Sequence, residues 1–327
     1  MTARVTLVVA PRERFSYTRP SLESIFSHTL IPFELVYVDA GSPPPIKTYL
    51  KDQSDQRGFQ LLRTEHFLAP NQARNLGLKY VNTEYVLFID NDVQVSAGWL
   101  EHLLACADET GSTVVCPLTC IGQPLHQRVH LAGGEARIIL ESKGKKVRRR
   151  VHEKHYFVNR TVADIQDQLK RQQCEFAEFH CMLVRRSIFE AIESLDEALL
   201  STREHIDFCL QVTNQGGKIY CEPAAVVTYV PGITLDWADL TYFSLRWSDA
   251  WEVASLEHFQ KKWKLHKDKY FQKRFRRLGH RRHQALLRPL SCRVSFGKRN
   301  PWLESLLIPL ERSINRILTR YYQSPQL

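Results

Sequence analysis

Two aspartates stand one residue apart at the end of the run Tyr85-Val86-Leu87-Phe88-Ile89-Asp90-Asn91-Asp92. If the chain stays extended there, Asp90 and Asp92 point to the same side. Carboxylates so placed can hold a hard divalent cation, and the cation can bridge a diphosphate. A solvated turn is the competing explanation, because Asp and Asn are common after strands. Two more groups bear on the choice. Asp39 closes another apolar run and is able to accept a hydrogen bond from a pyrimidine N3–H. Arg74, one turn into a helix capped by Asn71, is able to meet a phosphate or the base.

The elements that must position these groups follow from the hydrophobic pattern. Residues 5–10, 34–38, 59–62, 85–89 and 113–116 read as strands, each a short apolar or β-branched run bounded by turn residues. Helical patterns lie between them, from Ser21 to Phe26, over 46–54, from Asn71 to about Val81, and from Trp99 to Asp108. Alternation of this kind predicts an α/β fold with a mostly parallel sheet and helices on both faces. Ligands then bind beyond the carboxyl ends of the strands, where Pro11-Arg12, Asp39 and Asp90-Asn91-Asp92 fall. Residues 121–173 carry a basic run, Lys143 to Lys154, and read as a mobile loop or insertion. Alternation returns over 175–230, and from about 240 the chain reads as helical.

Charge divides the chain unevenly. Its 327 residues carry a net +10, yet residues 256–327 hold 18 Lys plus Arg against four acids, while residues 1–255 hold 27 basic and 31 acidic groups. A mildly acidic body with a strongly basic tail argues for an anionic surface at the C-terminus and against a nucleic-acid clamp over the whole chain. No apolar run approaches the roughly 18–20 residues needed to span a bilayer, and Val5 to Ala10 is too short for a secretory segment. The expected location is cytoplasmic, with peripheral contact to the cytoplasmic membrane face. The eight cysteines contain no C-x-x-C pair and read as reduced, buried thiols rather than a zinc site.

The order of blocks VVAPRER, VDAGS, NQARNLGLKY, YVLFIDNDV with Trp99, FHCMLVRRSIFEAI and LDEALLSTREHIDFCLQVTNQGGKIYCEPAAVVTYV resembles the family 2 glycosyltransferases of the GT-A fold, over roughly residues 4–230. The resemblance implies a GT-A-type, Rossmann-like mixed sheet flanked by helices, as a domain over 1–240, with a helical, basic C-terminal extension over 241–327. It implies an inverting transferase that moves a sugar from a nucleotide-sugar donor, a UDP-sugar favoured, to a hydroxyl of a glycan or lipid-linked acceptor. Pro11, Arg12, Asp39, Arg74, Asp90 and Asn91 would contact the donor, and Asp90 with Asp92 would hold Mn²⁺ or Mg²⁺.

Direct displacement at an anomeric carbon needs the acceptor hydroxyl deprotonated as it attacks. The family places an acidic motif for this at a helix start, and here it reads Glu204-His205-Ile206-Asp207. Glu204, His205 and Asp207 all remain open as the base; acids also favour helix N-termini through the helix dipole alone. The sequence departs from the family again at Tyr229, where many relatives carry a metal-binding His. His126 and His130 have a spacing that could ligate a metal on a helix, but with Gly133-Gly134 following at once they are read as structural or substrate-lining. Glu175 or Glu178 is read as a contact for donor hydroxyls or as a plain loop carboxylate. Trp237, Tyr242, Phe243, Trp247 and Trp251 have a spacing that suits core, with an acceptor groove as the alternative.

From Phe259 the tail mixes aromatic residues with dense Lys and Arg, and Leu303 to Leu318 forms a second amphipathic stretch. Such segments suit an anionic membrane, each basic residue near the lipid contributing about 1 kcal/mol; a helical subdomain packed on the body is the other reading. Two rival functions stand beside the transferase. A nucleotidyltransferase shares the sheet and metal logic but would show a Gly-rich loop that Pro11 to Ser16 lacks. A non-catalytic carbohydrate- or membrane-binding protein would keep the fold without turnover.

Overall fold

A computed structural model describes residues 2–143, 146–231 and 236–323. The first half alternates β1 (Val5–Ala10), α1 (Thr18–His28), β2 (Glu34–Ala40), α2 (Pro44–Arg57), β3 (Gln60–Thr64), α3 (Pro70–Leu78) and β4 (Tyr85–Asp90). Then come β5 (Val93–Val95), α4 (Trp99–Thr110), β6 (Val114–Ile121), β7 (Val129–Leu131), β8 (Gly134–Lys143), β9 (Lys146–His155), β10 (Gln172–Cys174) and β11 (Cys181–Arg185). After α5 (Glu204–Asn214) and β12 (Ile219–Tyr229) the chain is helical, with α6 (Trp237–Arg246), α7 (Asp249–Lys262), α8 (Lys269–Phe275), α9 (Arg288–Val294) and α10 (Pro301–Gln323).

The sheet runs β10-β12-β6-β11-β4-β1-β2-β3. β1 pairs in parallel with β2 and β4, and β2 with β3, whereas β11 lies antiparallel between β4 and β6. The mixed sheet follows from β11, which reverses direction after the long excursion of residues 122–180. Both faces are covered, so β1 and β4 are buried at every position. Side chains alternate as period 2 demands: Leu7 and Val9 meet Leu22, Ile25, Trp99 and Leu103 on one face, while Val8 meets Val36, Val86 and Phe88 on the other. Helix α3 lies close against β1 and β2, because a Cβ at Gly77 would sit 2.5 Å from Val8 Cγ1. That contact presses the turn bearing Arg74 against the strand ends.

One expectation needs correction, and two open readings are narrowed. The helix expected to start with an Asn71 cap starts at Pro70, whose missing N–H is harmless in a first turn; Gln72 Oε1 accepts the Ala69 N–H at 2.8 Å. The stretch read as a mobile loop or insertion is in large part a ten-on-ten antiparallel hairpin, β8 with β9, inserted outside the main sheet. Its charges are paired rather than loose: Arg150 reaches Glu141 and, at 2.6 Å, Asp268 before α8. The tail also packs into the body. Leu256, Phe259, Leu265 and Phe271 share a core with Ala136, Val151, Phe176 and Ile206.

The expected boundary at residue 240 falls inside α6, and both sides of it tie to the loop after β1. Asp239 accepts the Phe15 and Ser16 N–H groups at 2.7 and 2.9 Å, and Tyr242 Oη donates to Pro11 O at 3.2 Å. Tyr242, Phe243, Trp247 and Trp251 are core, as their spacing suggests, while Trp237 is 90 % exposed. All eight cysteines are free thiols, seven of them buried.

Candidate active site

The parallel register sets Ala10 opposite Asp90, and the antiparallel neighbour sets Cys181 opposite Ile89. The residues just beyond these strand ends therefore meet: Arg12 after β1, Asp90 and Asp92 at the end of β4, and His180 before β11. Asp90 N–H donates to His180 O at 3.1 Å. The Asp90 carboxylate is fully buried and shared among three groups. Arg74 Nη2 lies 2.8 Å from Oδ1, Arg12 Nη1 3.2 Å from Oδ2, and His180 Nδ1 3.2 Å from Oδ2. Both guanidiniums are also stacked, Arg74 on Phe179 at 4.3 Å and Arg12 on Tyr229 at 4.9 Å. Burial opposes the charge on Asp90, but His180 and the two arginines outweigh it and hold the carboxyl well below the usual range.

Asp92 differs in its partners. It too is fully buried, yet neither of its oxygens has a hydrogen-bond partner. Burial first, then the charges of Asp90 and Glu13, push its carboxyl well above the usual range. The two aspartates of one motif thus favour opposite protonation states. Asn91 between them latches the loop after β1: its Oδ1 accepts the Arg12 N–H at 3.1 Å, and its Nδ2 donates to Arg14 O at 2.8 Å. Asp39 stands apart at the end of β2, accepting the Ser42 N–H at 2.9 Å and paired with Arg63.

The late cluster separates its three candidates. Glu204 is buried and bound to Arg246 Nη2 at 2.9 Å; burial opposes its charge, but Arg246 wins and holds the carboxyl low. Asp207 faces α7, where Lys262 Nζ and Trp263 Nε1 each approach to 2.7 Å and Gln211 donates from the next turn. His205 and Glu204 both line a cleft of about 320 Å³ with Arg12, His130, Glu178, Arg246 and Arg281, but of the two only Glu204 is held there by a close ion pair. His205 Nε2 lies 3.9 Å from Glu178 Oε1, and burial lowers its pKa, leaving a neutral imidazole at neutral pH. Arg274, Arg277 and Arg281 bring the basic tail into the wall of this cleft.

Beside the same cleft, which His130 and Glu178 line, stand residues that the sequence did not single out together. His130 on β7, Glu178 and His180 are the one group of three metal-capable side chains among the described residues, their ligand atoms all within 4.8 Å of one another. His180 was passed over as part of an apolar block; the available signal was the Glu178-Phe179-His180 spacing, which puts two donors on one side of an extended segment. Tyr229, in place of the expected His, packs its ring 4.3 Å from His180 and donates its hydroxyl to Glu13. His126 pairs with Thr228 Oγ1 at 2.7 Å, and Glu175 with Arg137 at 2.7 Å, so both serve the framework.

A divalent cation fits this edge unevenly. Asp90 is already neutralised by two arginines, so the pair does not present two free carboxylates. Asp92 has two orphaned oxygens, and the His130–Glu178–His180 group offers two imidazoles and a carboxylate.

Residues 6–193 match the family model for Glycosyl transferase family 2. Pre-mycofactocin glycosyltransferase of Mycobacterium tuberculosis is 24% identical over 227 residues, 69% of this chain and 42% of that protein. The uncharacterized protein y4gI of Sinorhizobium fredii is 25% identical over 224 residues, 66% of this chain and 23% of that one. The chain thus spans less than half the length of these curated relatives. A solved structure described as GalNAc-T7 with UDP, GalNAc and Mn²⁺ superposes with a TM-score of 0.53 at 15% identity, over 83% of this chain and 56% of that one. That likeness shows the GT-A fold. Because the family match runs from β1 through β11 and takes in Asp39, Arg74, Asp90 and Asp92, the chain belongs to glycosyl transferase family 2.

Proposed function

We propose that this chain transfers a hexosyl group from a nucleotide-sugar donor, first among them a UDP-sugar, to a hydroxyl of a glycan or lipid-linked saccharide, with inversion. The observation that carries the reading is the orientation of His205. Of the three candidate bases it alone faces the cleft without an ion-pair partner closer than 3.9 Å. Its neutral imidazole takes the proton as the acceptor oxygen attacks the anomeric carbon, and the bond to the nucleotide diphosphate breaks on the opposite face. Glu204 and Arg246 lock the helix start that aims the ring, and Asp207 anchors the same helix to α7.

At the donor end, Arg12 and Arg74 hold the edge positive around Asp90, and Arg281 adds charge from the tail. Asp39 with Arg63 serves the nucleoside end, and Pro11 and Asn91 shape the loop that carries Arg12. Mn²⁺ or Mg²⁺, when bound, supplies charge that stabilises the leaving diphosphate. The GalNAc-T7 structure, described with UDP, GalNAc and Mn²⁺, supports this donor class.

The acceptor's surroundings are proposed from the tail. No helix among the described residues is long and apolar enough to cross a membrane. Helix α10 nevertheless turns Trp302, Leu306, Leu310, Ile314, Ile317 and Tyr321 outward, all more than half exposed, while Asn315 and Thr319 are buried against the body. An apolar stripe facing outward, flanked by Arg312, Arg316 and Arg320, fits the interfacial region of an anionic membrane on the cytoplasmic side.

A non-catalytic carbohydrate-binding protein on the same fold is the second reading. One observation favours it: Asp90 and Asp92 are fully buried, so a donor reaches them only after Arg12 moves. Incubation with UDP-, GDP- and dTDP-sugars, with Mn²⁺ and simple acceptors, decides between the two. Free nucleotide and a product of inverted anomeric configuration support transfer; binding of a nucleotide with no turnover of any donor supports the second reading.

A further inference from the structure

The cation of this site is expected on Asp90 and Asp92, but the ligand atoms that cluster beside the cleft point elsewhere. His130 Nε2 lies 2.9 Å from Glu178 Oε2, and His180 Nε2 lies 3.6 Å from the same oxygen. Metal bonds of about 2.0–2.2 Å bring neighbouring donors to about 3 Å, so these three need only small side-chain rotations to share one ion. They arrive on two adjoining parts of the fold, β7 and the approach to β11. Their rings are already fixed, with His130 edge-on to His180 at 5.2 Å and His180 against Tyr229 at 4.3 Å.

A second observation is independent of the cluster's own contacts. The other nitrogen of His180, Nδ1, stands 3.2 Å from Asp90 Oδ2. Nδ1 is buried and makes no hydrogen bond, but a carboxylate this close favours a proton there by its charge and leaves the other nitrogen's lone pair for a ligand. In His180 that free nitrogen is Nε2, the one that faces Glu178 and His130. Asp90 is itself held in place by Arg74 and Arg12, which explains why a carboxylate in a metal motif should be so completely paired.

We infer that the divalent cation binds to His130 Nε2, Glu178 and His180 Nε2, and that Asp90 positions His180 instead of ligating the ion. His130 and Glu178 line the cleft, so the remaining coordination positions open towards substrate oxygens. Two imidazoles with one carboxylate select borderline ions, Mn²⁺, Co²⁺ or Zn²⁺, over Mg²⁺ and Ca²⁺, which prefer all-oxygen sites. The inference stands on geometry and is independent of the transferase reading.

The test uses untagged full-length chain, stripped with chelator and titrated with Co²⁺ alone, so that no donor or turnover is involved. Wild type is expected to take one Co²⁺ with the visible bands of nitrogen ligation. His130→Ala and Glu178→Gln should each weaken binding at least tenfold, and Asp90→Asn by about 10- to 100-fold through loss of the ring's support. Asp92→Asn should bind as wild type does. Thermal melts establish that each variant is folded. Should the variants fail to fold, pulsed EPR of Mn²⁺-loaded wild type reads coordinated imidazole nitrogen directly. The proposal is overturned if wild type takes no ion, if His130→Ala and Glu178→Gln bind normally, if Asp92→Asn abolishes binding, or if the Mn²⁺ spectrum shows oxygen ligands only.

Discussion

Replacing Arg246 with Met should destabilise the chain by about 3–5 kcal/mol, because it leaves the Glu204 carboxylate buried without its cation. The magnitude follows from the enclosure. The two side chains are 1 % and 3 % exposed, Arg246 Nη2 lies 2.9 Å from Glu204 Oε1, and Arg246 Nη1 donates to Ser201 O. Neither charge reaches water if its partner is lost. Glu204→Gln should cost less, about 1–3 kcal/mol, since Arg246 keeps the Ser201 carbonyl and its stack on Trp247 at 4.6 Å. The double variant buries no uncompensated charge, so its loss should fall short of the sum by about 2 kcal/mol or more. With a urea dependence of about 3 kcal/mol/M for a chain of this size, Arg246→Met moves the unfolding midpoint down by about 1–1.7 M. Tryptophan fluorescence in urea on the four proteins measures the cycle. Additive losses, with coupling under about 0.5 kcal/mol, would show that Glu204 is not held by Arg246, and the case for it as a free base would reopen.

Two further outcomes follow from other parts of the molecule. Burial opposes the charge on Glu153, but Arg203, His155, Arg274 and the Tyr270 hydroxyl outweigh it and depress its pKa strongly. A depressed folded pKa gives stability that is complete above the unfolded value of about 4.3 and is lost as pH falls below it. Thermal melts between pH 6 and 3 should therefore drop less steeply in Glu153→Gln than in wild type, from a lower starting point; equal slopes would refute this. On α10, Ile317→Glu places a charge within the exposed apolar stripe and should cut co-sedimentation with vesicles containing anionic lipid several-fold, with nucleotide binding unchanged; undiminished sedimentation would remove α10 from the membrane proposal.

How much the sequence disclosed depended on whether a residue's neighbours lay close in the chain. The strands over Val5–Ala10 and Tyr85–Asp90 were legible because both faces are covered, so each is an unbroken apolar run. The hairpin over Gly134–His155 was not, since its ten-residue strands carry charges whose partners, such as Asp268 for Arg150, lie more than a hundred residues away. Charge density in β9 looks like solvent exposure until those partners are known. Of the aromatic block, Tyr242, Phe243, Trp247 and Trp251 read correctly as core from helical spacing, and Trp237, at the exposed start of α6, did not. In the site, Asp90 and Arg12 were marked out by their position at strand ends and Arg74 by its place one turn into a helix, but not the fact that they satisfy one another. That pairing comes from the register of β1 against β4 and from the close approach of α3 at Gly77. His180 escaped notice because its meaning depends on β11 running antiparallel beside β4, which no periodicity in β11 reveals.

The central claim is that His205 is the base of a sugar transfer, and paired turnover and binding measurements on His205→Ala and Asp207→Asn test it most directly. With a donor that wild type turns over, His205→Ala should lower kcat by about 10²- to 10⁴-fold while the Kd for UDP stays within about twofold. Asp207→Asn, which alters an anchor to Lys262 and Trp263, should lower kcat far less. Full activity in His205→Ala, or a collapse of kcat confined to Asp207→Asn, would contradict the account.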